Sequence, residues 1–139
     1  KNTFAGIELI YFSRTNFSDG SKILLIDTVG ILADLYKYAH IAYVGGSFKQ
    51  GIHNVMEPAI YGIPVIFGPT HSNSIEAEKL LKRGGGIQVN NKNDVQEVFN
   101  KLLNDTSFRR GTGEKALSYA LENTGVSEQL INEWQKYLD

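Results

Sequence analysis

The feature that most constrains the fold of this chain is a pair of short apolar runs, each of which ends in a glycine-rich loop. Residues 41–44 lead into Gly45-Gly46, and residues 65–67 lead into Gly68-Pro69. Runs this short, bounded by glycine, are typical of buried strands because a helix needs a longer pattern. Helical patterns separate the predicted strands, and this alternation indicates βαβ units. We therefore predict an α/β fold with a mostly parallel sheet and helices on both of its faces.

The remaining pattern extends the same alternation along the chain. Strands are predicted at residues 7–12, 22–27, 41–44, 65–67 and 87–89, and the strand at 22–27 is apolar enough to be covered on both faces. Helices are predicted at residues 31–39, 55–61, 74–83, 107–121 and 127–138, and Asp27-Thr28 are predicted to cap the first of them. A further helix is predicted after the cap Asn93, with one apolar face formed by Val95, Val98, Phe99, Leu102 and Leu103. Together these elements predict one domain over residues 1–139.

The composition excludes several classes of function. The chain has 139 residues, a net charge of −1 and no cysteine. A net charge of −1 argues against a nucleic-acid surface, which needs a basic face. The absence of cysteine excludes disulfides and thiolate metal sites. No apolar stretch approaches the ~20 residues that span a bilayer. Because the chain begins Lys1-Asn2-Thr3 without an initiator methionine, we expect a fragment of a longer protein.

The first glycine loop has the features of an anion-binding site. Asn54 stands where a helix N-cap is expected, and Glu57 follows three residues later. The N–H groups at a helix start and the positive end of the helix dipole favour the same anion. In parallel sheets, ligands bind outside the carboxyl ends of the strands, so both glycine loops should line one pocket. A helix cap without any ligand would equally explain the Asn54–Glu57 pair.

A wider set of motifs surrounds this loop. It consists of Asp27-Thr28-Val29-Gly30, Leu35-Tyr36, Ala39, Val44-Gly45-Gly46-Ser47, His53-Asn54, Glu57-Pro58-Ala59, Gly62-Ile63-Pro64-Val65 and Gly68-Pro69. The set resembles the C-terminal, Rossmann-like half of GT-B glycosyltransferases, and more narrowly the 3-deoxy-D-manno-octulosonic acid (Kdo) transferases. The chain departs from that family at Ile52, where glycine is common, and at residues 29–32, where a carboxylate of the family pattern is missing.

The resemblance implies a donor domain of an enzyme that transfers Kdo from CMP-Kdo to a lipid A precursor in lipopolysaccharide biosynthesis. The acceptor site, the catalytic base and a membrane-anchoring segment would lie in an N-terminal region outside this chain, so no catalytic residue is expected here. The full enzyme would act at the cytoplasmic face of the bacterial inner membrane, whereas this fragment would be soluble and inactive alone. No metal or cofactor is implied, because loop amides would stabilise the departing phosphate.

The resemblance also assigns roles to residues in and around the two loops. The amides after Asn54, together with Ser47, are expected to bind phosphate, and Glu57 is expected to accept hydrogen bonds from the ribose hydroxyls. Arg14 would contact an anionic group, and the second loop would form the wall against the Kdo moiety. The complete predicted set is Gly45, Gly46, Ser47, Gly51, His53, Asn54, Glu57, Gly68, Pro69, Asn73 and Arg14.

Two alternatives remain open at this point. Another GT-B transferase or epimerase that uses a UDP-sugar would share the glycine loops, since glycines do not select the nucleobase. A non-catalytic α/β binding module would use Asn54 and Glu57 only as a helix cap. His53 is interpreted as a hydrogen-bonding loop residue rather than a metal ligand, and His71 as a loop residue without an obvious partner.

Overall fold

The computed structural model of the chain describes residues 3–4, 7–13 and 23–124. The predicted helix at 127–138 and the predicted anion contact Arg14 lie outside these residues. The chain divides into two compact units, Lys1–Leu35 and Tyr36–Asp139. None of the helices in the described ranges is long and apolar enough to cross a bilayer.

The first unit contains a three-stranded sheet. Its strands are β1 (Thr3–Phe4), β2 (Ile7–Tyr11) and β3 (Ile23–Leu25), in that order, with β1 antiparallel and β3 parallel to β2. Strands β2 and β3 therefore form within the ranges predicted for them, whereas β1 was not predicted. The prediction that the strand at 22–27 is covered on both faces is wrong, because Leu24 and Leu25 remain 44% and 42% exposed.

The segment after β3 corrects one helix cap. Helix α1 covers only Leu32–Tyr36, so Asp27 and Thr28 do not cap it. Instead, Asp27 accepts hydrogen bonds from the backbone N–H of Ser13 at 2.9 Å and from its hydroxyl at 2.5 Å. Gly30 has a φ of 90°, which is not a helical value, and the helix begins only after this turn.

The second unit contains a fully parallel sheet. Its strands are β4 (Ala42–Val44), β5 (Val65–Phe67) and β6 (Gly86–Gln88), in that order, with Ala42 paired to Val65 and Val65 paired to Gly86. The central strand β5 is 0% exposed at all three residues. A short, wholly apolar run is what a strand covered on both faces requires.

Four helices connect and cover these strands. They are α2 (Met56–Ala59), α3 (Ile75–Arg83), α4 (Lys92–Asn104) and α5 (Thr106–Thr124). Helix α3 lies close to the predicted range 74–83, but Ser74 is its cap rather than its first residue, since Ser74 Oγ accepts from the N–H of Ala77. Gly84 ends the helix with a φ of 76°. The predicted cap of α4 is wrong by two residues, because Asn91 accepts from the N–H groups of Asn93 and Asp94.

One face of the sheet packs against α2, α3 and α5. Val65 and Phe67 point to this face and join a buried cluster that includes Leu80 of α3 and Tyr119 of α5. Alternate residues of a strand point to opposite faces, which explains why Ile66 is absent from this cluster. Burial of a side chain such as Leu80, which is 0% exposed, contributes about 1.5–3 kcal/mol.

The other face packs against α4. Ile66 joins Val89 and Leu102 in a second buried cluster, and Phe99 packs against it. Helices therefore cover both faces of the parallel sheet, as predicted. Leu103 was predicted to point inward but is 60% exposed, because the buried stripe of α4 is narrower than the apolar set suggests.

Helix α5 approaches the sheet through a glycine. A Cβ on Gly113 would lie 2.1 Å from the carbonyl oxygen of Gly62, a residue just before β5. Gly111, also in α5, has no atom within 4 Å of the position of a Cβ. The close packing of α5 near the amino end of β5 thus depends on Gly113 and not on Gly111.

Candidate functional site

Two loops follow neighbouring parallel strands and lie at the same edge of the sheet. The first glycine loop, residues 45–55, follows β4, and the second glycine loop, residues 68–74, follows β5. Because β4 and β5 are paired in parallel register, both loops leave their strands at the carboxyl ends. The structure therefore brings together the two segments that contain every predicted donor-binding residue except Glu57, which lies in α2, and Arg14.

Ser47 joins the two glycine loops. Its Oγ accepts a hydrogen bond of 2.6 Å from the N–H of Gly68, and its carbonyl accepts one of 2.8 Å from the N–H of Thr70. The Ser47 hydroxyl donates to the carbonyl oxygen of Val44 at an oxygen–oxygen distance of 3.4 Å, and Ser47 is 0% exposed. In this arrangement Ser47 holds the loops together, and a direct bond to a ligand remains a prediction.

Gly46 makes the tight turn of the first glycine loop. Its φ is 88°, and its carbonyl accepts hydrogen bonds from the N–H groups of Lys49 and Gln50 at 3.0 and 3.1 Å. A Cβ on Gly46 would lie 2.3 Å from the carbonyl oxygen of Gly51 and 3.0 Å from the ring of His53. The loop can fold back on itself only because this position has no side chain.

Asn73 clamps the two loops at a second point. Its Oδ1 accepts from the N–H of Ile52 at 3.1 Å, and its Nδ2 donates to the carbonyl of Ile52 at 3.2 Å. The side chain of Ile52 is only 6% exposed and belongs to the buried cluster on the α3 face. This arrangement accommodates the departure from the family glycine, because the isoleucine becomes part of the core.

Asn54 and Glu57 bind each other at the start of α2, but the N-cap is Val55, one residue later than predicted, and it makes no side-chain capping bond. Asn54 Oδ1 accepts from the N–H of Met56 at 2.9 Å, and Asn54 Nδ2 donates to Glu57 Oε1 at 2.9 Å. The helix is shorter than predicted, since α2 ends at Ala59 rather than at Tyr61. A single turn has only a small dipole, so individual N–H groups must provide most of the attraction for an anion.

Glu57 also acts on a nearby tyrosine. Burial raises the pKa of Tyr36, and the negative charge of Glu57 raises it further. The Glu57 carboxylate is itself half-buried and is oriented by the amide of Asn54. The carboxylate is therefore oriented as a hydrogen-bond acceptor, and the expected contact with the ribose hydroxyls stays a prediction.

The other predicted residues are placed as follows. His53 is exposed, with its ring close to Gly46, and Gly45 and Pro69 are also exposed. Gly68 is buried, and a Cβ there would lie 2.8 Å from the ring of Phe48. Arg14 is outside the described residues, so its role stays a prediction.

His71 has a partner that the sequence did not reveal. Its Nε2 lies 2.9 Å from Oε1 of Gln88, a residue at the end of β6. Because Gln88 Nε2 donates to Asn90 Oδ1 at 2.7 Å, the Gln88 oxygen faces His71 and accepts from Nε2–H. His71 Nδ1 is buried without a hydrogen-bond partner in the described part of the chain. The contact joins residues 17 positions apart, which a local pattern cannot indicate.

A cavity of about 310 Å³ opens between the two glycine loops. It is lined by residues 52–56 on one side and by Asn73, Ser74 and Glu76 on the other. Glu76 was not among the predicted site residues. The sequence does place Glu76 in the first turn of the helix that follows the second glycine loop. An acidic residue there is usually explained by its interaction with the helix dipole, so it does not by itself indicate a binding site.

A second cavity, of about 480 Å³, lies elsewhere in the unit. It is bordered by Gly86 at the start of β6, by Asp105 between α4 and α5, and by Lys115 of α5. It contains none of the predicted site residues. Among the residues that the structure describes, no group of three or more histidine, aspartate or glutamate side chains could hold a metal ion.

The sequence and the fold were compared with those of known proteins. No family model matches the chain. It is 38% identical over 126 residues to the 3-deoxy-D-manno-octulosonic acid transferase of Chlamydia muridarum. This match covers 88% of the chain and 29% of the Chlamydia protein. It is 43% identical over 94 residues to the transferase of the same name from Aquifex aeolicus, covering 65% of this chain and 27% of that protein. The chain thus spans less than a third of these relatives.

A solved structure has the same fold. The crystal structure of the C-terminal CMP-Kdo binding domain of WaaA from Acinetobacter baumannii superimposes with a TM-score of 0.71. The match covers 84% of this chain and 60% of that one, at 19% sequence identity. The likeness confirms the predicted α/β fold, with its parallel sheet between helices.

Proposed function

We propose, because the chain belongs to the 3-deoxy-D-manno-octulosonic acid (Kdo) transferase family, that its two glycine loops hold the CMP-Kdo donor of a complete transferase. One observation carries the proposal. The match to the Chlamydia muridarum transferase covers 88% of the 139 residues, so it must include residues 45–74. The similarity therefore extends through the loops that meet at the carboxyl edge of the sheet.

The proposed reaction is the transfer of a sugar from phosphate to an alcohol. An acceptor hydroxyl oxygen bonds to the anomeric carbon of Kdo while the bond from that carbon to the phosphate oxygen breaks. Both electrons of the broken bond go to the phosphate of CMP, and the hydroxyl proton goes to a base. Because the chain spans less than a third of its relatives, we assign the base and the acceptor, a lipid A precursor, to the part that it does not cover.

The first glycine loop is suited to the departing phosphate. The phosphate gains about one negative charge as the bond breaks, so donors aimed at it bind the transition state more tightly than the ground state. Loop amides near Gly45 and Asn54 and the exposed ammonium of Lys49 are the candidate donors. The bonds from Lys49 and Gln50 to Gly46 hold this loop in its turn before any ligand arrives.

Glu57 is suited to the ribose. Asn54 donates to one carboxylate oxygen, which fixes the direction of the group, and a carboxylate has capacity for several more donors. Two neighbouring ribose hydroxyls can donate to such a group. We propose that the pair that stabilises the start of α2 is also the ribose site.

The location of the complete protein follows from the proposed acceptor. A lipid A precursor is a membrane lipid, so the full transferase would act at the cytoplasmic face of the bacterial inner membrane. This chain would bind the donor, and only other parts of the protein would contact the membrane.

An amide-resolved NMR titration of the chain with CMP, using UMP as control, tests the proposal. We expect shifts at residues 45–47, 54–57 and 68–73 that are larger for CMP than for UMP. An equal or stronger response to UMP would indicate a UDP-sugar enzyme instead. No response to either nucleotide at millimolar concentration, or transfer activity of the chain alone, would contradict the proposal.

A further inference from the structure

The cavity between the glycine loops has an unusual charge for a site next to an anionic donor. Its lining includes the carboxylate of Glu76 and no lysine or arginine among the described residues. A donor with a phosphate and a sugar carboxylate carries negative charge at two places. Either group would be repelled if it entered a cavity lined by a carboxylate.

Glu76 is held at the cavity by its own helix. Ser74 Oγ donates to Glu76 Oε2 at 2.9 Å and accepts from the N–H of Ala77 at 3.1 Å. Glu76 lies in the first turn of α3, a nine-residue helix. An ionised carboxylate accepts hydrogen bonds at about four lone-pair positions, so the one bond from Ser74 leaves it able to accept others.

Both asparagines of the lining are already engaged with the protein, whereas the lining residue His53 has an exposed side chain. Asn73 uses both ends of its amide on the backbone of Ile52. Asn54 uses both ends of its amide on Met56 and Glu57. Glu76 is therefore the carboxylate acceptor that the cavity offers to a hydroxyl group, beside the imidazole of His53.

We propose that this cavity takes the neutral, hydroxyl-bearing carbon chain of the donor sugar, with Glu76 accepting hydrogen bonds from it. The phosphate and the sugar carboxylate stay outside, at the loop amides and Lys49. This inference rests on the proposed function and adds the orientation of the donor to it. Glu76 is thus a specificity residue for the sugar and makes no contact with the nucleotide.

The test compares Glu76→Gln with Glu78→Gln in the full chain of 139 residues. Both residues are acids in the first turn of α3, but only Glu76 lines the cavity. Binding of CMP and of CMP-Kdo to each variant is measured by calorimetry. We expect Glu76→Gln to weaken CMP-Kdo binding about tenfold and CMP binding less than about twofold, because one charged hydrogen bond to the sugar is lost. Glu78→Gln should change neither affinity.

Each other outcome has a distinct meaning. Tighter binding of CMP-Kdo by Glu76→Gln would place an anionic group in the cavity, and an equal loss for both ligands would place the ribose there. Unchanged affinities in the Glu76→Gln variant would mean that the sugar does not bind in the cavity. All three results overturn the inference. Failure of the wild-type chain to bind either ligand would overturn the proposed function as well, and it is recognised without any variant. Matching amide spectra of the two variants exclude misfolding.

Discussion

Ser47 Oγ accepts a 2.6 Å hydrogen bond from the backbone N–H of Gly68, and both residues are buried. Gly68 directly follows β5, and Ser47 follows β4 after Gly45 and Gly46, so this bond fixes the distance between the two glycine loops near their base. Ser47 also accepts from the N–H of Thr70 through its carbonyl. The spacing of the loops is therefore set by the protein before a ligand binds.

Ser47→Ala should destabilise the chain by about 1–3 kcal/mol, because the N–H of Gly68 would be buried without an acceptor. Urea unfolding followed by circular dichroism measures the change. Ser72→Ala is the control, since Ser72 is exposed in the same pair of loops. If the two variants were equally stable, the bond between Ser47 and Gly68 would have no structural role.

Asn73→Ala should free the backbone of Ile52, which would lose an acceptor for its N–H and a donor for its carbonyl. We expect the amide of Ile52 to exchange with solvent at least about tenfold faster, since protection depends on that bond. Hydrogen exchange measured by NMR reports this directly. Unchanged exchange at Ile52 would show that the core packing of its side chain alone holds the loop.

Glu57→Ala separates a ligand site from a simple helix cap. The exposed bond between Asn54 and Glu57 should contribute at most about 1 kcal/mol to stability, whereas loss of a charged acceptor for ribose should weaken CMP binding about tenfold. Calorimetry and thermal unfolding on the same sample measure both. Glu97→Ala, which replaces an exposed acid of α4, is the control. A stability loss with unchanged CMP affinity would favour the non-catalytic module.

Glu122 should make the stability of the chain depend on pH in the acid range. Arg83 Nη1 lies 2.5 Å from Glu122 Oε2, and this hydrogen bond lowers the pKa of Glu122 below its ordinary value of 4.5. A lowered pKa in the folded state gives stability that is present above 4.5 and is lost as the pH falls through the folded-state pKa.

Glu122→Gln should therefore reduce the loss of thermal stability between pH 5 and pH 3, with a small effect because both side chains are about half exposed. Melting curves across this range, with Glu114→Gln as the control, test the expectation. Parallel pH profiles for wild type and Glu122→Gln would contradict it.

Two glycines in α5 should respond to alanine with opposite signs. A Cβ on Gly113 would lie 2.1 Å from the carbonyl oxygen of Gly62, so Gly113→Ala should cost about 1–3 kcal/mol through overpacking. Gly111 has open space at the same position, and Gly111→Ala should stabilise the helix by up to about 1 kcal/mol. Thermal unfolding of both variants measures the pair. Stabilisation by both substitutions would mean that α5 does not pack closely on Gly62.

Local chemistry decided which features of the fold could be predicted from the sequence. The range of α3 was predicted closely, because the cap Ser74 and the terminal Gly84 act on neighbouring residues alone. Asp27 did not cap α1, since Ser13, which lies 14 residues earlier, binds its carboxylate. Asn91 rather than Asn93 caps α4, and the sequence cannot choose between two asparagines so close together.

The site shows the same division. The two glycine loops were predicted to meet because parallel strands share one edge. A contact of Asn54 with the start of α2 was predicted because Met56 is close in sequence, although the N-cap itself is Val55. The cavity at Glu76 was missed because it arises from segments about twenty residues apart that approach only in the folded chain. The link from His71 to Gln88 was missed for the same reason.

The clamp between Asn73 and Ile52 lets an amide side chain do what a neighbouring strand would do. It offers one donor and one acceptor to the backbone of Ile52, as a paired strand does. The first glycine loop is thus braced as if the sheet continued past the end of β4. A ligand that binds there has little loop entropy to remove, so most of its interaction energy is available for affinity and for the developing charge of the reaction.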